Sequence, residues 1–210
     1  MSLITYKIIL IGNSGVGKTS LFRKLSGAEF LAKNISTIGI DKKTLEYNID
    51  IGNQKKNFSI SLFDTAGQEK FRAVTKSYYK ESEGILLMYD ITERKSFDNV
   101  EMWVNSIKES IDSSNNSKFE IFLIGNKLDL IGQEGKKREV IENEAKDACK
   151  KFNMIWGGEL STKDIELDDL KKIFEKYVRD LYEKIGEKKV QKQKVQKVQK
   201  YKKKTKWCFL

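Results

Sequence analysis

The chain has 210 residues, of which 39% are hydrophobic, and a formal net charge of +10. This length predicts one domain with its own core. Residues 186–210 hold ten lysines and one acidic residue, which leaves residues 1–185 almost neutral. The body is therefore not expected to carry a nucleic-acid-binding face, and the positive charge belongs to a C-terminal tail.

Two cysteines, Cys149 and Cys208, do not make a disulfide framework, which favours an intracellular protein. The sequence has no apolar run of transmembrane length and no signal-peptide pattern, and Ser2 stands where N-myristoylation needs glycine. It contains no histidine, so an imidazole base and histidine metal sites are excluded.

A glycine-rich turn lies between the first predicted strand, Thr5–Ile11, and the first predicted helix, which begins with Lys18–Leu25. The turn reads Gly12-x-x-x-x-Gly17-Lys18-Thr19, the pattern of a nucleoside-triphosphate phosphate-binding loop in its strand–loop–helix context.

Each residue type in this loop suits phosphate chemistry. Glycine lets backbone N–H groups turn toward phosphate oxygens, and the helix adds its positive N-terminal end. Lys18 supplies a charge for the β- and γ-phosphates, and Thr19 supplies a hydroxyl for Mg²⁺. The candidate phosphate-binding residues in the loop are Ser14, Gly15, Val16, Gly17, Lys18, Thr19 and Ser20.

Four further strands follow from the hydrophobic pattern. Lys43–Ile51 and Asn57–Phe63 alternate with period two around Gly52-Asn53, which predicts an antiparallel hairpin. Gly84–Asp90 and Phe119–Gly125 are almost continuously apolar, as buried parallel strands are.

Three amphipathic segments read as helices: Ser96–Ile111, Glu139–Phe152 and Leu167–Ile185. Because strands and helices alternate, we expect an α/β fold of the P-loop NTPase type. Its six-stranded sheet is mostly parallel with one antiparallel strand, and helices cover both faces. In such folds ligands bind at the carboxyl ends of the strands.

Two more motifs fall at that edge. Asp64, after the third strand, suits a Mg²⁺-linked carboxylate, and Gly67 leaves room for a γ-phosphate; alone, Asp64 would read as a turn former. Asp129, after the fifth strand, offers a carboxylate to the paired N–H donors of guanine, and the stem of Lys127 offers an apolar surface for the ring.

With these elements in order, residues 5–183 resemble the Ras-like small GTPases, and most of all the Rab family. The resemblance implies that Phe30 packs on guanine and that Thr37 ligates Mg²⁺ and senses the γ-phosphate. It also implies that Gln68 orients the attacking water. The implied guanine-binding residues are Phe30, Asn126, Lys127, Asp129, Ser161, Thr162 and Lys163, and the implied Mg²⁺ ligands are Thr19, Thr37 and Asp64.

Three positions depart from the usual Rab pattern. Lys42 stands where Rab proteins have Phe, Phe63 where they have Trp, and Lys70 where they have Arg. These positions bear on effector and regulator recognition, so they leave the Rab subfamily and the identity of the partners open.

The implied reaction is attack of water on the γ-phosphate of GTP, with Lys18 and Mg²⁺ stabilising charge and Gln68 positioning the water. No arginine stands in the phosphate loop or beside Thr37. We therefore expect slow hydrolysis and an activating partner, besides an exchange factor and effectors. Loss of the γ-phosphate would release the loops around Thr37 and Gly67.

Residues 186–210 read as a disordered polybasic tail after a GTPase domain of residues 1–185. Lysines favour an anionic membrane surface, and the resemblance implies prenylation at Cys208. However, Cys208 is third from the end rather than fourth, and there is no double cysteine. The expected location is the cytosolic face of an internal membrane.

Two other functions stay open. A soluble carrier GTPase resembling Ran would need no lipid, and a nucleotide-bound scaffold would not hydrolyse GTP. The cysteine-bearing basic tail argues against the first, and the presence of both Thr37 and Gln68 argues against the second.

Overall fold

The apolar runs of the sequence form one β-sheet in the computed structural model of the chain. The structure describes residues 3–28, 39–65, 79, 82–110, 119–133 and 135–186. The strands are β1 (Leu3–Ile11), β2 (Ile40–Ile51), β3 (Gln54–Thr65), β4 (Gly84–Asp90), β5 (Glu120–Asn126) and β6 (Ile155–Leu160). The helices are α1 (Lys18–Leu25), α2 (Arg94–Asp98), α3 (Val100–Ser110), α4 (Glu142–Phe152) and α5 (Leu167–Ile185).

The sheet has six strands in the order β2-β3-β1-β4-β5-β6. Strand β2 pairs with β3 in antiparallel fashion through the predicted hairpin, and every other pairing is parallel. This confirms the predicted mostly parallel sheet with one antiparallel strand. The carboxyl ends of β1, β3, β4, β5 and β6 consequently meet along one edge, where the loops with the candidate motifs begin.

Helices cover both faces of the sheet, as predicted. Successive strand residues point to opposite faces, so Ile8 and Leu10 pack in one cluster with α1 and α5, whereas Ile9 and Ile11 pack in the other with α3 and α4. These two apolar layers hold the strands in register and fix the positions of the loops at the carboxyl edge.

Several boundaries differ from the predictions. Strands β2 and β3 extend over 40–51 and 54–65, because polar residues at their ends continue the ladder. The predicted helix over 96–111 begins at Arg94 and is divided into α2 and α3 at Asn99. The helix predicted from Glu139 begins at Glu142, where the Glu144 carboxylate accepts the Ile141 N–H.

Strand β6 could not be located from the sequence. Two consecutive glycines interrupt its apolar pattern, and its pairing with β5 shifts register between Leu123 and Ile124. A Cβ at Gly157 would lie 2.8 Å from Cγ1 of Ile124, so the glycine permits a close approach of the two strands.

Among the described residues, no helix is both long enough and apolar enough to cross a bilayer. Helix α5 ends at Ile185, where the predicted domain ends. The predicted tail beyond Gly186, including Cys208, lies outside the described residues.

Candidate nucleotide-binding site

The loop between β1 and α1 has the tight backbone that its glycines predict. Gly12 has φ +133°, and a Cβ there would lie 2.2 Å from the carbonyl oxygen of Met88 on β4. Gly17 has φ +102°, and a Cβ there would lie 2.1 Å from Nδ2 of Asn126. Only glycine fits either position, since side chains would strain the backbone and collide with neighbouring strands or loops.

The start of α1 has the properties of an anion site. Gly17 precedes the helix without a side-chain cap, and the first turn contains no acidic residue. The first backbone N–H groups of a helix point outward along its axis and favour negative charge. Ser14 and Gly15 are exposed in the same loop, and Val16 is buried beneath it.

Lys18 is a buried cation at the centre of this loop. Its side chain turns back, and Nζ donates hydrogen bonds to the carbonyl oxygens of Gly12 at 3.0 Å and Asn13 at 2.7 Å. Burial lowers the pKa of Lys18 to about 8, although the Asp64 carboxylate partly offsets this effect. The ammonium group is therefore poorly solvated, and a nearby phosphate would compensate its charge.

Asp64, at the end of β3, is a fully buried carboxylate on the same side of the sheet as Lys18. Within the described part of the chain, neither of its oxygens makes a hydrogen bond of good geometry. Burial raises its pKa to about 6, against the opposing effects of the Thr19 hydroxyl and the Lys18 ammonium, while Asp41 adds to the rise.

These groups fit a hard divalent cation. Mg²⁺ prefers oxygen ligands and is often held by one or two protein groups together with substrate phosphates. The Asp64 carboxylate, which is incompletely hydrogen-bonded among the described residues, and the neighbouring Thr19 hydroxyl supply such a set. The described residues contain no cluster of three or more acidic or cysteine side chains that could hold a metal by themselves. Thr19 and Asp64 would therefore hold the ion jointly with ligand oxygens.

Asn126, at the end of β5, connects the phosphate loop to a second loop. Its Nδ2 donates to the carbonyl oxygen of Val16 at 2.7 Å and to the hydroxyl of Thr162 at 3.2 Å. Its Oδ1 accepts the backbone N–H of Thr162 at 3.0 Å. The side chain is completely buried, so it serves as a bridge between three loops, a position that sequence spacing does not reveal.

Lys127 has a left-handed backbone, with φ 73°, which turns its side chain toward the end of β4. There its ammonium group forms an ion pair of 2.7 Å with Oδ2 of Asp90. Oδ1 of Asp90 accepts hydrogen bonds from the N–H and hydroxyl of Thr92. This network fixes the direction of the lysine stem, which was predicted to lie along a guanine ring.

Asp129 is oriented by the loop after β6. The hydroxyl of Ser161 donates to Oδ1 of Asp129 at 2.8 Å and accepts the N–H of Asp164. Among the described residues, the other carboxylate oxygen of Asp129 accepts no hydrogen bond. Ser161 thus orients the carboxylate, and both of its oxygens keep lone pairs for a ligand. Lys163 is exposed, and its carbonyl oxygen accepts a hydrogen bond from Lys24 of α1 at 3.0 Å.

The structure therefore brings together every predicted site residue that it describes, at the ends of β1, β3, β5 and β6 along one edge of the sheet and at the start of α1. Phe30, Thr37, Gly67 and Gln68 lie outside the described residues. Sequence reasoning missed three connecting side chains: Asp90, Lys24 and Trp103, whose indole N–H donates to Asn13. The only sequence signal for Asp90 was an acid at the end of a buried apolar run.

A groove of about 580 Å³ lies elsewhere, between α2–α3 and α4. Ion pairs cross it, from Arg94 to Glu144 at 2.7 Å and from Lys151 to Glu101 at 3.2 Å. It contains none of the predicted site residues.

Comparison with known proteins agrees with this architecture. Residues 7–183 match the model of the Ras family. The chain is 35% identical to Ras-related protein RGP2 of Oryza sativa subsp. japonica, over 84% of this chain and 75% of the relative. It is 40% identical to Ras-related protein Rab-13 of Rattus norvegicus, over 70% of this chain and 68% of the relative. It is 33% identical to Ras-related protein YPTC6 of Chlamydomonas reinhardtii, over 87% of this chain and 78% of the relative.

Proposed function

Because the chain belongs to the Ras family of small GTPases and is most similar to Rab proteins, we propose that it binds GTP and GDP with Mg²⁺, hydrolyses GTP slowly and acts as a switch in vesicle-mediated membrane traffic. The bridge made by Asn126 carries this proposal. It joins the phosphate loop to the two loops with the candidate base-reading groups, so one ligand with both a triphosphate and a guanine would span them.

The phosphates would lie against the loop from Ser14 to Ser20. Backbone N–H groups of this loop and the start of α1 would bind the β-phosphate. Lys18 would keep its two carbonyl partners and direct its remaining N–H to a phosphate oxygen, which relieves its desolvation. Thr19 and Asp64 would hold Mg²⁺, joined by Thr37 in the GTP-bound state; the ion supplies positive charge to the β- and γ-phosphates.

The guanine would be read by Asp129. Its carboxylate would accept the N1–H and 2-amino hydrogens of the base, while Ser161 keeps it in the required orientation. Lys127 and Phe30 would cover the two faces of the ring, and the N–H of Thr162 and the exposed Lys163 would border the base.

Hydrolysis would depend on positioning. Gln68 would orient water for in-line attack on the γ-phosphate, and Lys18 would stabilise the charge that develops. The phosphate loop contributes no arginine, so intrinsic turnover is slow and an activating protein supplies further charge. Loss of the γ-phosphate would free the segments around Thr37 and Gly67, and exchange factors and effectors would distinguish the two states.

Traffic requires a membrane anchor, which we assign to the tail. Its lysines would contact anionic lipids, and a prenyl group on Cys208 would provide the second signal for stable attachment. Partition of the parent and Cys208→Ser between membrane and soluble fractions of cell extracts checks this assignment. A membrane-bound parent and a soluble variant are expected; a soluble parent would instead favour the carrier function.

Base recognition is tested by Asp129→Asn. Xanthine carries a carbonyl group where guanine has its 2-amino group, so an amide at position 129 should favour it. We expect GDP affinity to fall about 10- to 100-fold and xanthosine diphosphate affinity to rise, measured by competition for a fluorescent nucleotide. The control is Asp147→Asn, an exposed acid on α4. Unchanged GDP affinity in Asp129→Asn would refute the assigned role.

Hydrolysis is tested by Gln68→Leu. Leucine cannot orient water, so single-turnover GTP hydrolysis should slow at least about tenfold while GTP affinity stays within twofold of the parent. The measurement is phosphate release from a preformed GTP complex after Mg²⁺ is added. Equal rates in parent and variant would contradict the role of Gln68 without affecting the binding assignment.

A further inference from the structure

Trp103 of α3 reaches the phosphate loop from a distant part of the chain. Its indole Nε1 donates a hydrogen bond of 3.0 Å to Oδ1 of Asn13, ninety residues earlier in the sequence. The indole ring is 3% exposed and packs in the apolar cluster that covers one face of the sheet. Helix α3 thus contacts the loop through one directed bond as well as through packing.

Burial makes this bond difficult to exchange for another. An indole N–H is only a donor, and a buried donor without a partner is unfavourable. The ring belongs to the same buried cluster as Val100, Val104 and Ile107 of its own helix and the apolar residues of the strands beneath. The position of α3 on the sheet therefore determines where the N–H points and where the Asn13 side chain is held.

Asn13 is held from a second side as well. Its backbone carbonyl accepts the hydrogen bond from Nζ of Lys18 at 2.7 Å. The residue before it, Gly12, lies close to β4, where a Cβ would be 2.2 Å from the carbonyl oxygen of Met88. Asn13 is thus held at its side chain by Trp103 and at its carbonyl group by Lys18.

We propose that Trp103 is a positioning residue of the phosphate loop, which keeps Asn13 and, through its carbonyl group, the Lys18 ammonium in the geometry that binds nucleotide. This inference rests on the proposed function, since it requires the loop to bind phosphate. Loss of the indole N–H releases the Asn13 side chain and loosens the loop beside Lys18, which should speed the release of bound GDP.

The test uses three variants of the full chain: Trp103→Phe, Asn13→Ala and the double variant. Phenylalanine removes the donor but keeps an aromatic ring, although a smaller one, in the buried site, while Asn13→Ala removes the acceptor without altering α3. We expect each single variant to release fluorescent GDP about five- to tenfold faster than the parent. The double variant should match the single variants, because both changes remove the same bond.

Trp156→Phe is the matched control. Trp156 lies on β6 with its indole beside Glu142, away from the phosphate loop, so GDP release should stay within twofold of the parent. The rise in melting temperature on adding GDP separates positioning from packing. A packing defect lowers the melting temperature with and without GDP alike, whereas loss of positioning reduces the rise itself.

Unchanged GDP release in Asn13→Ala would overturn the inference and leave the proposed function intact. Additive effects in the double variant would also overturn it, since they would indicate two independent defects. If Trp103→Phe does not fold, Asn13→Ala alone decides the question through its release rate and the GDP-dependent rise in melting temperature. Failure of the parent to bind GDP would overturn both this inference and the proposed function.

Discussion

The two ends of the candidate site differ in how far the protein satisfies its own polar groups. At the guanine end, Asn126 and Thr162 exchange hydrogen bonds, and Ser161 anchors Asp129. At the phosphate end, the buried Asp64 carboxylate lacks hydrogen bonds of good geometry from the described residues, and Lys18 is shifted toward its neutral form.

We infer from this difference that the guanine end mainly provides specificity for the base and the phosphate end mainly provides binding energy. Groups that are already hydrogen-bonded within the protein hold a fixed shape, so they can select a base at little cost in ordering. Groups that are buried and incompletely paired destabilise the protein by themselves and gain most from an incoming ion or phosphate. The guanine end should therefore contribute to stability, and the phosphate end should reduce it until ligand binds.

The largest expected effect comes from Asn126→Ala at the guanine end. This change removes two hydrogen bonds to Thr162 and one to Val16, and it leaves their buried groups without partners. We expect the free energy of unfolding to fall by about 2–4 kcal/mol, measured by urea denaturation without nucleotide.

Asn105→Ala is the control, because Asn105 is exposed on α3 and its loss should change stability by less than about 0.5 kcal/mol. Equal, small effects of the two substitutions would show that the guanine end is not held together by Asn126 and would remove the contrast.

At the phosphate end, Asp64→Asn is expected to raise the free energy of unfolding rather than lower it. An asparagine is uncharged and should raise the stability of the protein in EDTA by about 1 kcal/mol at pH 7.5. The folded-state pKa of Asp64, about 6, exceeds the unfolded value, so the folded parent binds more protons between pH 6 and 4. The parent therefore gains stability as the pH falls through this range, and the advantage of the variant should disappear near pH 4.

Denaturation curves from pH 4 to 8 check this result. A variant less stable than the parent at pH 7.5 would show that the carboxylate is well compensated in the protein alone. The same variant should lose the Mg²⁺ dependence of nucleotide binding, which provides an independent measurement on the same end of the site.

A smaller loss of stability is expected for Lys24→Met, which removes hydrogen bonds between α1 at the phosphate end and the loop after β6 at the guanine end. Nζ of Lys24 on α1 donates to the carbonyl oxygens of Thr162 and Lys163, at 3.3 and 3.0 Å. These partners are partly exposed, so the loss should be about 0.5 kcal/mol and GDP release about twofold faster. Lys150→Met on α4 removes an exposed ion pair as control; an equal effect there would mean that the Lys24 hydrogen bonds contribute nothing.

Much of the fold and site could be predicted because the signals are local. The phosphate loop spans Gly12–Thr19, where glycine spacing, lysine and threonine stand together in the chain. Asp64 and Asp129 directly follow apolar strands, so alternation of strands and helices predicts that they share an edge. The antiparallel hairpin follows from the period of its strands and the turn at Gly52.

The rest depends on tertiary geometry. The ion pair of Lys127 with Asp90 needs a left-handed residue and the register of β4 beside β5. The bond from Trp103 to Asn13 depends on how α3 sits on the sheet, which no local pattern gives. The bounds of β6, the sixth strand of the predicted sheet, could not be predicted because its two glycines interrupt the apolar pattern and permit close packing against β5.

The outer position of β2 has a consequence for how copies of the protein behave at high concentration. It is the last strand on its side of the described sheet and is twelve residues long, so its outer edge is a template on which another chain could add a strand. Lys42, Lys43, Glu46 and Asp50 are exposed along it. These side chains carry both signs of charge and cover the edge with hydrated groups, which discourages sheet-to-sheet association and favours colloidal stability.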